Sequence, residues 1–153
     1  MIQIRAILGS NAVSTIWHPV DKRFFEFLSH DERVDCLCLG DFAKYPSGTV
    51  LIRRGDLSGT LWVLLHGEAQ AKIQTTLLSD MKPGDAFGEI SFILGTVASA
   101  DVVAVTDVSV LELSKEAMER LFRQRPSVVA SLYRSLAAEL ARRLVRVSER
   151  VAT

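Results

Sequence analysis

Cysteine and histidine are scarce in this sequence, and their scarcity argues against a metal centre of the usual kinds. The two cysteines, Cys36 and Cys38, share the segment DCLCLG, in which no histidine lies beside them. A closed zinc site needs four ligands, and disulfides are rare in cytosolic proteins. We therefore expect both cysteines to be free thiols that pack as small apolar side chains beneath a helix.

The three histidines, His18, His30 and His66, are spread widely along the chain. A metal enzyme built on a β-roll needs paired histidines on one strand together with a carboxylate. Because that spacing is missing, a cupin-like metal enzyme is only a distant alternative. We expect a protein with no metal, no catalytic residues and no enzymatic activity.

Long apolar runs and net charge are also missing. A membrane-spanning helix needs about 20 apolar residues, and no such run occurs here. The N-terminal sequence MIQIRAILGSNAVSTIW lacks the charged, apolar and cleavage segments of a secretory signal. Basic and acidic residues both number 18, so no net charge attracts nucleic acid or an anionic membrane. We expect a cytoplasmic protein with no membrane insertion.

What the sequence does contain is a clear change of periodicity. Residues Phe24 to Leu39 show helical spacing, and Ser29 is a candidate N-cap ahead of an acidic first turn. From Thr49 to Leu113, short runs rich in Val, Ile and Leu alternate with glycine turns, which is typical of strands. The pattern predicts an α+β fold with N-terminal helices and a compact antiparallel roll or barrel. Of these two we expect an antiparallel β-roll of the double-stranded β-helix, or jelly-roll, type.

Two helices are predicted after the strands. Ser114 is a candidate N-cap for a short helix in SKEAMERLF, and Pro126 separates it from a long helix over about residues 127–151. Apolar residues recur every three or four positions along the long helix and form one stripe. The stripe consists of Val129, Leu132, Leu136, Leu140, Leu144, Val147 and Val151. We divide the chain into an N-terminal segment 1–23, a β-roll 24–126 and a C-terminal helix 127–153.

The segment from Tyr45 to Leu113 resembles the cyclic-nucleotide-binding domain family, which includes catabolite activator protein and the regulatory subunits of cyclic-AMP-dependent kinase. The resemblance is carried by YPSGTVLIRRGDLSGTLWVLLHGEAQA and MKPGDAFGEISFILGTVASADVVAVTDVSVLEL, and it extends over about Phe24 to Val151, which is most of the chain. Five glycines fall at the family's turn positions, and the FGE sequence is intact. These glycines are Gly48, Gly55, Gly67, Gly84 and Gly88.

The resemblance implies a ligand site around the short helix that Gly88 opens. A helix start offers unpaired N–H groups to a phosphate, and glycine lets an anion approach the backbone closely. By resemblance, Glu89 accepts hydrogen bonds from a ribose hydroxyl. The implied site also contains Ile90, Ala98, Ser99, Ala100 and Ser148.

One position departs from the family pattern. The family has an arginine that pairs with the cyclic phosphate, and this sequence has Ala98 there. Asp101 adds a negative charge nearby, although the strand pleat can turn it away from the pocket. Three alternatives are open: a pocket filled by the protein's own side chains, a weak nucleotide site, or a site for another small ligand. A compensating cation would be Arg53, Arg54 or an arginine of the last helix.

The final helix resembles the dimerisation helix of the same family, because ELARRLVRVSERV keeps the ARRL step and the Ser-Glu-basic-Val ending. The resemblance implies a parallel homodimer through Leu132, Leu136, Leu140, Leu144, Val147 and Val151. In the family a Thr-Ser pair contacts the nucleotide base, and the serine reaches across the dimer. Here the pair is Val147-Ser148, so only the serine is kept. Alternatively, the stripe packs on its own roll.

From these features we expect a non-catalytic, stand-alone regulatory or interaction module with a protein partner. It would be impaired in cyclic AMP and cyclic GMP binding, and would have no cofactor other than a weakly held cyclic nucleotide. The main alternative is a genuine cyclic-nucleotide sensor with an atypical site. Sequence-specific DNA binding is not expected, because no helix-turn-helix module follows the final helix in this sequence.

Overall fold

The computed structural model describes residues 25–152, and in this range eight strands form two antiparallel sheets. One sheet has the strand order β1-β8-β3-β6 and the other has the order β2-β7-β4-β5. The strands are β1 (Asp41–Tyr45), β2 (Val50–Ile52), β3 (Leu61–His66), β4 (Ala69–Ile73), β5 (Thr76–Met81), β6 (Ala86–Phe87), β7 (Asp101–Ala104) and β8 (Val108–Leu113). The predicted antiparallel β-roll is confirmed.

Four helices surround this roll within the described range. They are α1 (His30–Leu39), α2 (Glu89–Leu94), α3 (Lys115–Gln124) and α4 (Pro126–Ala152). The predicted long C-terminal helix is confirmed. It begins at Pro126, whereas the sequence pattern placed this proline between the two last helices. Proline suits the first helical position because its missing N–H has no helical partner there.

The helix predicted from Phe24 starts later than expected. Phe24 lies outside the described residues, and residues 25–28 form a turn in which the Leu28 N–H donates to the Phe25 carbonyl at 3.0 Å. Ser29 then caps α1, because its hydroxyl accepts from the Glu32 N–H while the Glu32 carboxylate accepts from the Ser29 N–H. The predicted cap is confirmed, and the earlier start is wrong for residues 25–28.

Strand β3 is the centre of the core. Leu61, Val63 and Leu65 pack against the helices, whereas Trp62 and Leu64 pack between the two sheets. Alternate side chains point to opposite faces of a strand, so a strand buried on both faces must be apolar throughout. This explains the nearly continuous apolar sequence LWVLL.

The two cysteines both lie in α1 and are free thiols. Cys36 is buried, and burial, aided by the charge of Asp35, raises its pKa to about 12. Such a thiol stays protonated and behaves as an apolar side chain. Among residues 25–152, no group of three or more His, Cys, Asp or Glu side chains is arranged to hold a metal ion, and no helix is long and apolar enough to cross a membrane.

The apolar stripe of α4 has two different environments. Leu132 and Leu136 are buried in the core between the roll and the helices, and Leu140 packs against that core. Leu144 and Val151, by contrast, are 67% and 83% exposed. The N-terminal half of the stripe therefore packs inside the domain to which α4 belongs, and only the C-terminal half is left for contact with a second copy.

We expect Leu132→Ala to lower the free energy of unfolding by about 2–5 kcal/mol, because it removes a fully buried side chain. Leu57→Ala is the matched control, since Leu57 is 65% exposed and its truncation should cost less than about 0.5 kcal/mol. Urea denaturation at equal protein concentration measures both values. Equal effects for the two variants would contradict this assignment of the core.

Candidate functional site

A cavity of about 150 Å³ opens beside α2 at the interior of the roll. Its floor is apolar, and six of the residues expected in the ligand site surround its mouth and walls. The floor is formed by Ile52, Ala71, Met81, Phe87 and Val102, and the six expected residues are Gly88, Glu89, Ile90, Ala98, Ser99 and Ala100. The structure therefore brings together residues that are separated by up to 50 positions in the chain.

Gly88 is the N-cap of α2 and has a φ of 74°, in the left-handed region. A Cβ at this position would lie 2.7 Å from the Thr60 carbonyl oxygen and 3.1 Å from Cδ1 of Trp62. Both the backbone conformation and the close packing therefore require glycine. This close packing holds the start of α2 against β3, so that Glu89 is turned into the site.

Ala98 lies in the cavity wall and is 8% exposed. Its N–H donates to the Asp56 carbonyl and its carbonyl accepts from the Gly55 N–H, each at 2.8 Å. Two backbone hydrogen bonds thus fix this residue against the loop that follows β2. A side chain longer than alanine at position 98 would extend from this fixed backbone toward the cavity.

Asp101 and Arg54 are joined outside the cavity. The Asp101 carboxylate accepts a hydrogen bond from the Arg54 N–H at 2.7 Å, and neither residue lines the cavity. The strand pleat thus turns the carboxylate of Asp101 away from the site. Like-charge repulsion from Asp101 therefore contributes little to the properties of the cavity.

Among the described residues that line the cavity, the one positively charged side chain is that of Arg143 in α4. Its guanidinium is paired with the Glu89 carboxylate and donates to the carbonyl of Ala86. Sequence reasoning pointed to the arginines of the last helix as a group but did not single out this one. The sequence feature that could have singled out Arg143 is its position four residues after Glu139, because this spacing brings the two side chains onto one helix face.

Glu139 holds Arg143 from the other side. Its carboxylate lies 3.4 Å from Nε of Arg143 and 3.7 Å from Nη2 of Arg146, and the side chain is 7% exposed. A buried carboxylate is stable only when it is paired, so Glu139 must keep its arginines. Arg143 is therefore held by two carboxylates, one from α2 and one from its own helix.

Ser148 is placed apart from the other expected site residues. Its hydroxyl donates to the Leu144 carbonyl at 2.9 Å, within α4, and the residue is exposed and does not line this chain's cavity. Val147 beside it is 54% exposed. A contribution of Ser148 to a site would thus have to be made to a second copy of the chain.

The comparisons with known proteins agree with this fold and site. A sequence model described as the cyclic nucleotide-binding domain matches residues 42–125. The chain belongs to the cyclic nucleotide-binding domain family. A solved cyclic nucleotide-binding domain from Methylobacillus flagellatus has the same fold, with a TM-score of 0.80 and 23% identity, covering 93% of this chain and 83% of that one.

Two curated relatives of this cyclic nucleotide-binding domain are much longer than the chain. The cyclic AMP receptor protein of Thermus thermophilus is 36% identical over 120 residues, which is 74% of this chain and 53% of that protein. Glutaminase 2 of Bradyrhizobium diazoefficiens is 34% identical over 144 residues, which is 94% of this chain but 23% of that protein. The match to the glutaminase thus covers about a quarter of that protein.

We expect Gly88→Ala to lower the free energy of unfolding by about 2–6 kcal/mol, because backbone strain is added to a steric overlap. Gly95→Ala is the matched control: Gly95 has a φ of 66° but no described atom within 4 Å of an added Cβ. Its cost should be limited to strain, about 1–3 kcal/mol. Thermal and urea unfolding measure both variants, and a cost for Gly88→Ala no larger than for Gly95→Ala would contradict the close packing.

Proposed function

We propose that this cyclic nucleotide-binding domain is a non-catalytic regulatory or interaction module that is impaired in binding cyclic AMP and cyclic GMP. The observation that carries the proposal is Ala98, which occupies the cavity wall where the family has its phosphate-binding arginine. The nearby cation, Arg143, is engaged by Glu89 and Glu139 and is not free to replace it.

The size of the impairment follows from the strength of a phosphate–arginine contact. Arginine binds phosphate through charge-assisted and often bidentate hydrogen bonds. Leaving a buried charge without its partner costs about 2–5 kcal/mol. At about 1.4 kcal/mol for each tenfold change, the loss of affinity is roughly 30-fold to several thousand-fold.

The non-catalytic part of the proposal is supported by the pairing of the titratable groups that line the cavity. The described lining of the cavity contains no histidine, cysteine, lysine or aspartate, and its carboxylate, Glu89, is ion-paired with Arg143, so this lining offers no nucleophile paired with a histidine base. The match to Glutaminase 2 leaves most of that protein uncovered, so its activity is not extended to this chain.

A genuine cyclic-nucleotide sensor is the second candidate, and Arg143 is the observation that favours it. Its guanidinium already lines the cavity and is 32% exposed, so a rotation away from Glu89 would bring a positive charge to a bound phosphate. This rotation has to break the contacts with Glu89 and Ala86, which is why we favour the impaired module.

We expect cyclic AMP to bind the wild-type protein only at high micromolar to millimolar concentration. Ala98→Arg should strengthen binding by at least about 30-fold, because it restores the charge-assisted contacts. The measurement is isothermal titration calorimetry of cyclic AMP and cyclic GMP. Val97→Arg is the matched control, since Val97 is exposed and lies outside the cavity wall, and its affinity should stay at the wild-type value.

Low-micromolar binding to the wild type would overturn the impaired-module proposal. The variant Arg143→Gln would then show which cation binds the phosphate. If Arg143 does so, removing its guanidinium should abolish the low-micromolar binding. If Ala98→Arg folds and gains nothing, the cavity is closed to nucleotides of any kind, and the interaction-module alternative is strengthened.

We also propose a parallel homodimer through the C-terminal half of α4. The support is the exposed apolar surface of Leu144, Val145, Val147 and Val151, each more than half exposed in the isolated chain. Burial of apolar surface contributes about 25 cal/mol per Å², so a seam of such residues from two helices can hold two copies together. We also propose that the module is cytoplasmic and acts on a protein partner. The absence of sequence-specific DNA binding stays a prediction.

We expect light scattering at micromolar concentration to give a dimer mass for the wild type and a monomer mass for Leu144→Asp, because a charge in the seam must be desolvated without a partner. Leu57→Asp is the matched control, since Leu57 is equally exposed but lies in the loop between β2 and β3. It should remain dimeric. A wild-type monomer, or a dimer unaffected by Leu144→Asp, would contradict the proposal.

A further inference from the structure

The cavity beside α2 is electrically neutral. Among the described residues that line it, Arg143 is the cation and Glu89 the carboxylate, and these two are paired with each other. Glu139, which lies behind Arg143 and is almost completely buried, holds the same guanidinium and takes up part of its charge. An anion entering this cavity therefore meets a guanidinium that is already paired with Glu89 and that shares Glu139 with Arg142 and Arg146.

We propose that this cavity selects uncharged, ring-bearing small molecules over anionic ones, so that its ligand is a neutral compound such as a nucleoside. The proposal rests on the proposed function, since it requires that phosphate is not the group this site recognises. It goes further, because an impaired site need not bind anything, whereas a selective site has a ligand of definite chemistry.

The size and lining of the cavity support a ring-bearing ligand. Its volume is about 150 Å³, and an engineered apolar cavity of about that volume binds benzene, so the cavity takes the ring of a ligand while the rest of a nucleoside lies at the mouth. Ala98 makes room at the wall where an arginine would project, and Ile52, Met81 and Phe87 supply apolar surface around the space. A ring buried here is stabilised by the removal of apolar surface from water.

The polar groups of the cavity support a ligand with a hydroxyl. The Glu89 carboxylate is an acceptor with lone pairs beyond the one that Arg143 uses, and Ser99 offers an exposed hydroxyl at the mouth. A hydroxyl can donate to Glu89 without disturbing the ion pair. A phosphate in the same place is repelled by Glu89, because the two negative charges share a partly desolvated site.

The test compares adenosine with cyclic AMP, which differ mainly in the phosphate, by calorimetry and saturation-transfer NMR on the full chain. We expect adenosine to bind at least about tenfold more tightly than cyclic AMP. We also expect its affinity to change less than about twofold between about 50 and 500 mM salt, because a neutral ligand gains nothing from an unscreened charge.

Two variants should invert or narrow this preference. Ala98→Arg adds an unpaired cation and should bind cyclic AMP more tightly than adenosine, whereas Val97→Arg, with the same charge outside the cavity, should keep the wild-type order. Glu89→Gln releases Arg143 while keeping the side chain's size and an acceptor oxygen. It should raise cyclic AMP affinity at least about tenfold and lower adenosine affinity, because the hydroxyl of adenosine loses a charged acceptor, so the ratio of the two affinities should reverse or narrow. This variant serves if Ala98→Arg fails to fold.

The outcomes separate this proposal from the proposed function. If cyclic AMP is weak and adenosine equally weak or undetectable, the impaired module stands and selection for neutral ligands is overturned. If cyclic AMP binds the wild type at low micromolar concentration and more tightly than adenosine, both are overturned. Should Glu89→Gln leave the ratio of the two affinities at the wild-type value, the Glu89–Arg143 pair does not set the selectivity, and this proposal fails.

Discussion

The contact between Arg143 and Glu89 joins the two parts of the molecule on which the candidate site depends. Glu89 belongs to α2, whose start is packed against the roll at Gly88, and Arg143 belongs to the long helix α4. Glu139 supports the arginine from behind, so a buried carboxylate, a guanidinium and a second carboxylate form one network. The network gives the site a direct contact with the helix that bears the exposed apolar seam.

The roll beneath this network is closely packed. Strand β3 is buried on both faces, with Trp62 stacked on Phe87 at a ring distance of 5.6 Å between the sheets and Val63 packed toward the helices. Close packing of this kind opposes a shift of α2 relative to the sheet. Beyond Leu140 the helix α4 leaves the core and its side chains become exposed.

Helix α4 packs into the core along its first half and exposes apolar side chains along its second half, although the apolar spacing in the sequence is the same in both halves. Leu132 and Leu136 complete the core of their own domain, whereas Leu144 and Val151 continue the same periodicity into solvent. Arg143 lies at the boundary between these two regions. The arrangement places the cation of the cavity next to the surface proposed for dimerisation.

The sequence by itself determined the strand pattern and the helix caps at Ser29 and Ser114, because both depend on local periodicity and on hydrogen bonds between near neighbours. The family resemblance of the sequence also gave the cavity residues Gly88, Glu89, Ile90, Ala98, Ser99 and Ala100, whereas Ser148, implied in the same way, lies apart from them. Only the tertiary structure decided that Arg143 enters the cavity, that Asp101 is turned toward the Arg54 backbone, and that Leu132 packs inward while Leu144 stays exposed. These outcomes depend on where helix and roll meet, and a repeating apolar pattern has the same form whether it packs on its own domain or on another.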